Sequence, residues 1–338
     1  MSAAGTRTSA GHLAALDGWR GISILLVLAG HLLPLGPKVL QLNDMAATMG
    51  MAVFFILSGF LITRFLLERP NVPDFLFRRF FRIVPLAWLA MLVVLVATGA
   101  PSTYYLPHFL FYANLPPIHL TDAGSHLWSL CVEAQFYVGI ALLVALLGRR
   151  GLYALPVVCV AVTLHRVWYG AYVDIVTWRR VDEILAGCWL AMALVGKFGT
   201  RSVSLLSSLN AYVLLALVAV ASHPWGGALN YLRPYIAALM VGATLLDPPA
   251  SLARVLHSSV LRYIATVSYA LYVIHHLLIY TWLGSGDKII KYAKRPLLFA
   301  VTFGLAHLST LYFERPCIAW GKRLAARVLR RRSLSVGD

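Results

Sequence analysis

Leu16-Asp17-Gly18-Trp19-Arg20 leads into the apolar run Gly21-Ile-Ser-Ile-Leu-Leu-Val-Leu-Ala-Gly30, and His31 follows directly. Arg20 and His31 are eleven positions apart. On an α-helix this is three turns and a rise of about 16 Å, so both side chains point the same way. Ionisable groups are expensive in hydrocarbon, and on one helix face they often mark a site. The spacing predicts a cation at one membrane surface and a titratable base near the bilayer centre.

The composition extends this interpretation to the whole chain. Of its 338 residues, 60% are hydrophobic and 12% charged, and the mean hydropathy is +0.76. A soluble domain has roughly twice that charge. We therefore expect an all-α, polytopic membrane helix bundle, because apolar stretches near the ~20 residues of a bilayer span recur throughout. We predict ten spans, at 20–36, 45–67, 82–100, 127–147, 152–169, 178–196, 204–222, 231–246, 262–283 and 296–316.

The distribution of Lys and Arg predicts the orientation. With a cytoplasmic N-terminus, most cations fall in inside loops and in a basic tail at 321–338, whereas the outside loop 101–126 has none. The tail follows a membrane domain at 1–320, and both termini are expected in the cytoplasm. The net charge of +16 suits an anionic inner leaflet and needs no nucleic acid. One segment does not fit this orientation, because it would place four cations on the outer side of the membrane: Lys288, Lys291, Lys294 and Arg295.

The second predicted span contains the small-residue pair Ser58-Gly59. Glycine lets a ligand or another backbone approach closely, so this pair is a candidate ligand site. The alternative interpretation is small-residue packing between membrane helices.

An arginine cluster begins the third predicted span. Arg79 and Arg82 are three positions apart, hence neighbours on a helix, and Arg78 lies beside them. Arginine forks suit phosphate oxygens, and a helix N-terminus favours anions. The alternative is an ordinary positively charged flank on the cytoplasmic side.

The fourth predicted span has a polar stripe, with Ser129, Glu133 and Tyr137 at i, i+4 and i+8. Running inward, Glu133 lies about 10 Å below the outer surface, a height comparable to that of His31. Glu133 is therefore a candidate partner for that imidazole. The alternative is a buried glutamate paired with an arginine for packing.

Two later segments add candidates. Tyr269, Tyr272 and either His275 or His276 can share a helix face near the midplane. Arg180 and Asp182, near the outer edge of the sixth span, either bind a polar acceptor or belong to an intrahelical ion-pair set. Glu314 ends the last span and can neutralise an arginine. The cysteines lack metal-like spacing, so no metal site is expected.

These segments together resemble the membrane-bound acyltransferase-3 family, which includes O-acetyltransferases of surface polysaccharides and relatives that acylate small natural products. The resemblance runs over nearly the whole chain. One departure is Ala134, where the family commonly has a second acidic residue, so Glu133 is left as the candidate carboxylate. The matching motifs are Asp17-Gly18-Trp19-Arg20 with His31, Ser58-Gly59-Phe60-Leu61-Ile62, Arg79-x-x-Arg82-Ile83-x-Pro85, Trp128–Tyr137, Ser268-Tyr269-x-x-Tyr272-x-x-His275 and Glu314-Arg315-Pro316.

The resemblance implies an acyl-CoA donor, most often acetyl-CoA, and a hydroxyl acceptor on a sugar, glycolipid or small molecule. It also implies the inner membrane of a bacterial-type cell. His31 would act as general base, with Arg20 on the same helix. Glu133 would orient its imidazole, and Tyr272 or His275 would stabilise the oxyanion. Arg79 and Arg82, with Arg78, would hold donor phosphates, and Arg180, Asp182 and Tyr137 would contact the acceptor.

Two other function classes remain open at this point. Intramembrane His, Glu and Arg also serve as proton relays in transporters and flippases. A non-catalytic lipid or peptide sensor is the third class. Neither internal repeats nor paired broken helices, which are frequent in transporters, are visible in the sequence. The identity of the acceptor, the acyl chain length, the oligomeric state and an acyl-His31 intermediate all lie beyond sequence reasoning.

Overall fold

The computed structural model describes residues 3–334, with side chains described within 14–327. Every regular element in this part is helical, as the apolar segments predict, because a helix satisfies its own backbone hydrogen bonds in lipid. The α-helices are α1 (Ala3–Leu32), α2 (Leu42–Glu68), α3 (Val72–Ala97), α4 (Tyr105–Phe109), α5 (Trp128–Leu147), α6 (Leu155–Trp168), α7 (Asp182–Leu194), α8 (Thr200–Ser208), α9 (Ala211–Ser222), α10 (Leu229–Leu246), α11 (Ala250–Leu256), α12 (Ser259–Ile279), α13 (Lys288–Ala293), α14 (Arg295–Ser309) and α15 (Arg315–Leu334).

Six stretches within the described residues are long and apolar enough to cross a bilayer, or up to seven if the bent pair α8–α9 counts as one span. A helix lies in each of the ten predicted segments, but α6 and α7 have only 14 and 13 residues. Both fall short of the roughly 20 that a span needs. The predicted count of ten is therefore not confirmed. The six stretches are Ala14–Leu32, Lys38–Glu68, Val72–Ala97, Ser125–Trp168, Leu229–Leu246 and Arg295–Arg327.

The first helix ends earlier than the sequence predicts. α1 stops at Leu32 and not at residue 36, because Pro34 disfavours helical conformation in the residue before it. The candidate span is Ala14–Leu32, so His31 lies in the last helical turn, and its side chain is exposed. His31 thus lies at the end of the candidate span, whereas the sequence interpretation put it near the middle; the depth of its imidazole in the bilayer stays a prediction.

The described chain divides into two compact units. The first contains the residues up to Phe65 together with Tyr153–Asp174 and Trp178–Tyr272. The second contains Leu66–Leu152, Ile175–Thr177 and the residues from Val273 onward. The predicted basic tail at 321–338 continues α15 as far as Leu334, and residues 335–338 lie outside the described part.

In the first unit, α2 and α7 pack backbone to backbone through glycines. A Cβ on Gly59 would lie 1.9 Å from the carbonyl oxygen of Ile184, and a Cβ on Gly187 would lie 2.1 Å from that of Ile56. Only residues without a side chain permit this approach, as in other small-residue contacts between membrane helices. For Gly59 the structure therefore favours helix packing over a passage for a ligand.

In the second unit, α3 packs against α5 and α15. The contact with α15 is close, because a Cβ on Gly321 would lie 2.4 Å from the Phe81 ring. Trp320 meets the same ring edge to face, with centroids 5.0 Å apart. A π-helical turn, Thr310–Glu314, joins α14 to α15. Such turns widen the helix locally and are frequent at functional sites.

Candidate active site

The start of α3 positions the arginine cluster. Asn71 caps the helix by accepting a hydrogen bond from the backbone N–H of Asp74 at 3.0 Å. Asp74 pairs in turn with Arg78 at 2.8 Å, and the Arg78 side chain is 41% exposed. Arg79, one residue further, points elsewhere: its guanidinium carbon is 5.6 Å from the centroid of the Tyr137 ring. Arg78 and Arg79 therefore face different surroundings, although they are adjacent in sequence.

The polar stripe of α5 is buried and internally hydrogen-bonded. Glu133 and Tyr137 are 4% and 6% exposed, and the Tyr137 hydroxyl donates to Oε1 of Glu133. This pair follows from the predicted i, i+4 spacing on one helix. The Tyr137 ring also meets Phe75 edge to face, with centroids 5.9 Å apart.

Arg82 and the π-helical turn complete this group. The buried Glu314 accepts a hydrogen bond from the Thr310 hydroxyl at 2.9 Å within the turn. The charged and polar groups that interact electrostatically with Arg82 are Arg79, Glu133, Tyr137 and Glu314. Two guanidinium groups thus face two carboxylates, which keeps the group close to neutral. We call Arg79, Arg82, Glu133, Tyr137 and Glu314 the polar cluster.

A cavity of 740 Å³ lies beside the polar cluster, lined by α3, α5 and the segment around α4. Its wall is apolar apart from Arg79, Gln135, Tyr137 and the Trp88 indole, whose N–H already donates to the carbonyl of Phe109 at 2.9 Å. A volume of this size is typical of small-molecule sites, which combine an apolar wall with a few polar groups. The cavity suits an apolar chain that ends in an anionic or polar group near Arg79.

Gln135 is held in place at the cavity wall. Its amide donates to the carbonyl of Phe111 at 2.7 Å and to Oδ1 of Asn114 at 2.9 Å. Asn114 donates to the carbonyl of Ile175 at 2.8 Å and to the Thr177 hydroxyl at 3.0 Å. These bonds tie the loop after α4 to α5 at the cavity wall.

Three imidazoles form a second cluster in the same unit. The His126 ring centroid lies 5.4 Å from that of His275 and 4.7 Å from that of His276. His126 Nε2 donates to the carbonyl of Val273 at 3.1 Å, and His276 Nδ1 to that of Ala123 at 3.0 Å. Within residues 14–327, whose side chains the structure describes, no group of His, Cys, Asp and Glu side chains has a geometry that could hold a metal ion.

His31, in the first unit, sits on a capped helix end. Asn43, the second residue of α2, donates from Nδ2 to the carbonyls of Gly30 at 2.7 Å and Leu33 at 2.6 Å. These bonds satisfy carbonyls that have no partner inside α1. The C-terminus of a helix has partial negative charge, so it stabilises an imidazolium that forms there.

Comparison with known proteins decides the family. The model of an acyltransferase domain, acyltransferase-3, matches residues 13–315. The chain belongs to the acyltransferase-3 family.

Curated relatives of this acyltransferase-3 chain are O-acetyltransferases by name. It is 26% identical to the peptidoglycan O-acetyltransferase OatA of Listeria monocytogenes, over 92% of this chain and 56% of that protein. The putative peptidoglycan O-acetyltransferase YrhL of Bacillus subtilis is 26% identical, over 94% and 56%. A putative O-acetyltransferase of Staphylococcus aureus is 24% identical, over 79% and 51%. The chain spans about half the length of these relatives. No solved structure matches it.

The structure brings together residues from three acyltransferase-3 motifs: Arg79 and Arg82, Glu133 and Tyr137, and Glu314. It puts Arg78 outside this group, in its pair with Asp74. His31 and Arg20 lie on one continuous helix, as predicted. The pairing of His31 with Glu133 stays a prediction, because the two belong to different units.

Arg180 and Asp182 lie in a buried ion network of the first unit. Asp182 pairs with Arg166, and Glu183 pairs with Arg233 at 2.7 Å and with Arg180 at 3.2 Å. All five residues are at most 1% exposed. The network joins α7 to α6 and α10, so the structure favours the ion-pair interpretation over acceptor binding, and extends it between helices.

Two more predicted residues have structural surroundings in the first unit. Ser58 is buried beside Gly59 on α2. Tyr272, 5% exposed, stacks on Phe54 with ring centroids 6.2 Å apart. Their roles in donor binding and oxyanion stabilisation stay predictions.

Several residues were not identified from the sequence. Arg166 and Arg233 lie within predicted spans. An arginine in an otherwise apolar segment is a signal that the sequence offers, because such a charge needs a partner. Asn43 had no such signal. It lies just before the predicted span 45–67, where asparagine usually predicts the N-cap of the following helix, but its side chain caps the end of α1 instead.

Proposed function

We propose that this chain is an integral-membrane O-acyltransferase that moves an acyl group, most often acetyl, from cytosolic acyl-CoA to a hydroxyl of a carbohydrate or small molecule. The observation that carries the proposal is the apolar cavity with Arg79 at its wall, next to the buried Glu133–Tyr137 pair. A thioester on the long pantetheine arm, whose methylene groups suit an apolar wall and whose far end has phosphates, fits that arrangement. Family membership and the names of the relatives support the same reaction class.

The chemistry assigned to His31 is general-base catalysis. Its imidazole accepts the proton of the acceptor hydroxyl while the hydroxyl oxygen attacks the thioester carbonyl. A C–O bond forms, the C–S bond breaks, and the proton passes to the leaving thiolate, so that an ester and a free thiol result. The capped C-terminus of α1 supports this role, because its carbonyl dipoles favour the imidazolium that forms during the transfer. Arg20, three turns away on α1, is proposed to assist on the same face.

The acceptor is proposed to be a glycan hydroxyl, with peptidoglycan-type glycan first, because two relatives have peptidoglycan in their names. We propose that the donor enters from the cytoplasm, with both termini on that side. Direct attack on the donor is preferred over an acyl-His31 intermediate, since it needs one step fewer. Rapid quench with labelled acetyl-CoA and no acceptor distinguishes the two, because protein-bound label at His31 requires the intermediate.

The proposed function is tested by measuring the amount of base-labile acetate on the envelope glycans of a host that expresses the chain. We expect acetate above background for the wild type and none for His31→Ala. The control is His257→Ala, because His257 is also exposed, follows α11 and belongs to none of the motifs in the sequence. Equal activity in His31→Ala and wild type would refute the assigned base. Solute flux in proteoliposomes without any acyl product would refute the reaction class.

A further inference from the structure

The segment that contradicts the predicted orientation has unusual charge. Lys288, Lys291, Lys294 and Arg295 fall within eight residues, and Asp287 is the one acidic residue between Trp282 and Phe313 in the sequence. Positive residues are normally depleted on the outer side. A cluster of cations with a single acidic neighbour makes this segment a candidate for anion binding.

Local contacts use some of these charges. Asp287 caps α13 by accepting from the backbone N–H of Ile290 at 2.8 Å. The Lys294 ammonium donates to the carbonyls of Trp282 at 2.8 Å and Ser285 at 3.3 Å. These bonds join the end of α13 to the turn that precedes it. Asp287 is the only acidic residue near these cations in the sequence.

Arg295 is different, because its guanidinium is buried and no carboxylate among the described side chains pairs with it. The residue is 7% exposed, and Nε and Nη1 have no hydrogen-bond partner among the residues that the structure describes. Its guanidinium carbon lies 5.8 Å from the centroid of the Tyr292 ring. Leaving a buried charge unpaired is strongly unfavourable, so an oxyanion bound to the Arg295 guanidinium would stabilise the protein.

The backbone supplies a second, independent preference for an anion. Arg295 is the first residue of α14, a helix of 15 residues whose N-terminus has no side-chain cap. Pro296, the second residue, has no N–H, so the preference comes from the positive end of the helix dipole and the other N–H groups of the first turn. Arginine adds a planar fork of donors that matches phosphate oxygens.

We propose that Arg295 and the N-terminus of α14 bind a phosphate group. Arg295 begins the candidate span Arg295–Arg327, so the site lies where a span meets the headgroup region. The phosphate belongs either to the headgroup of an anionic lipid or to a phosphorylated acceptor. The proposal is independent of the acyl-transfer chemistry.

The test measures thermal unfolding of the full chain in phosphate-free maltoside detergent, with and without inorganic phosphate at matched ionic strength. We expect phosphate to raise the melting temperature of the wild type and of Lys288→Gln, an exposed control that removes the same charge from the same segment. Arg295→Gln should not respond. Without phosphate, Arg295→Gln should melt no lower than the wild type, since the charge it removes has no partner.

A second arm identifies the source. Phosphatidylglycerol that stabilises the wild type, and then abolishes the effect of inorganic phosphate, assigns the site to a lipid headgroup. Stabilisation by inorganic phosphate with no effect of phosphatidylglycerol assigns it to a soluble or acceptor phosphate. Both results support the site.

Three results would overturn the proposal. They are the absence of any phosphate or lipid effect on the wild type, an equal response of Arg295→Gln, and a phosphate-free Arg295→Gln that melts lower than the wild type or fails to fold. Arg295→Lys gives a further check, because it keeps the charge but loses the fork. It should bind phosphate about tenfold more weakly, and unchanged affinity contradicts the assignment.

Discussion

Gly59→Ala tests how the family's second motif is used. The added Cβ would lie 1.9 Å from the Ile184 carbonyl oxygen, whereas Cβ contacts under 3.0 Å are essentially never seen. The two helices would therefore have to separate by at least 3.0 − 1.9 = 1.1 Å. Because the obstacle is backbone, no side-chain rotation can relieve the clash.

The expected cost is that of overpacking a tight contact, about 1–3 kcal/mol. We expect the purified protein to melt several degrees lower than the wild type in detergent, measured by intrinsic fluorescence. The matched control is Gly304→Ala within α14, where an added Cβ meets nothing within 4 Å. Alanine is preferred over glycine in a helix by about 1 kcal/mol, so this control should melt at the same temperature or higher.

The competing interpretation predicts a different pair of measurements. If Gly59 admits the donor, Gly59→Ala lowers acetyl-CoA affinity and leaves the melting temperature unchanged. That outcome would refute the packing argument. A lower melting temperature with unchanged affinity for acetyl-CoA supports it.

Two further predictions use neighbouring residues as internal controls. Arg79→Gln should weaken acetyl-CoA binding about tenfold or more, since a charged hydrogen bond is lost. The control Arg78→Gln, at an exposed arginine, should change that affinity little. Equal losses of acetyl-CoA affinity in the two variants would show that the location of Arg79 at the cavity wall does not matter for donor binding. Asp182→Asn should destabilise the chain by about 3–5 kcal/mol, because Arg166 is left buried and unpaired. Asp174→Asn breaks a partly exposed pair with Arg179 and should cost about 1 kcal/mol or less. If thermal unfolding of Asp182→Asn matched the wild type while acceptor affinity fell, Asp182 would be a binding residue after all.

Local spacing was sufficient for the part of the candidate site that lies on single helices. The i, i+4 relation of Glu133 and Tyr137 is realised as a direct hydrogen bond. Arg79 and Arg82, at i, i+3, reach the same surroundings. Helix periodicity determines such relations, so they are accessible without a structure.

Depth and span number were less predictable, because they depend on where helices end. The sequence interpretation began the first span at residue 20 and placed His31 near its middle, but α1 ends at Leu32, so His31 lies in its last turn. The shortness of α7 and its ion pairs with Arg166 and Arg233 depend on tertiary contacts between distant segments. A hydropathy window cannot detect these pairs, since it sees each charge alone.

The π-helical turn Thr310–Glu314 marks the place where the last helix can lose a residue without turning. A π turn holds one residue more than the α-helical turn it replaces, and one residue corresponds to about 100° of rotation in an α-helix. Removing a single residue from this turn would restore an ordinary α-helical turn, so Gly321 would still face Phe81. Removing one residue from 315–320 instead would swing everything beyond it around the helix axis, and the seam between α15 and α3 would have to be rebuilt.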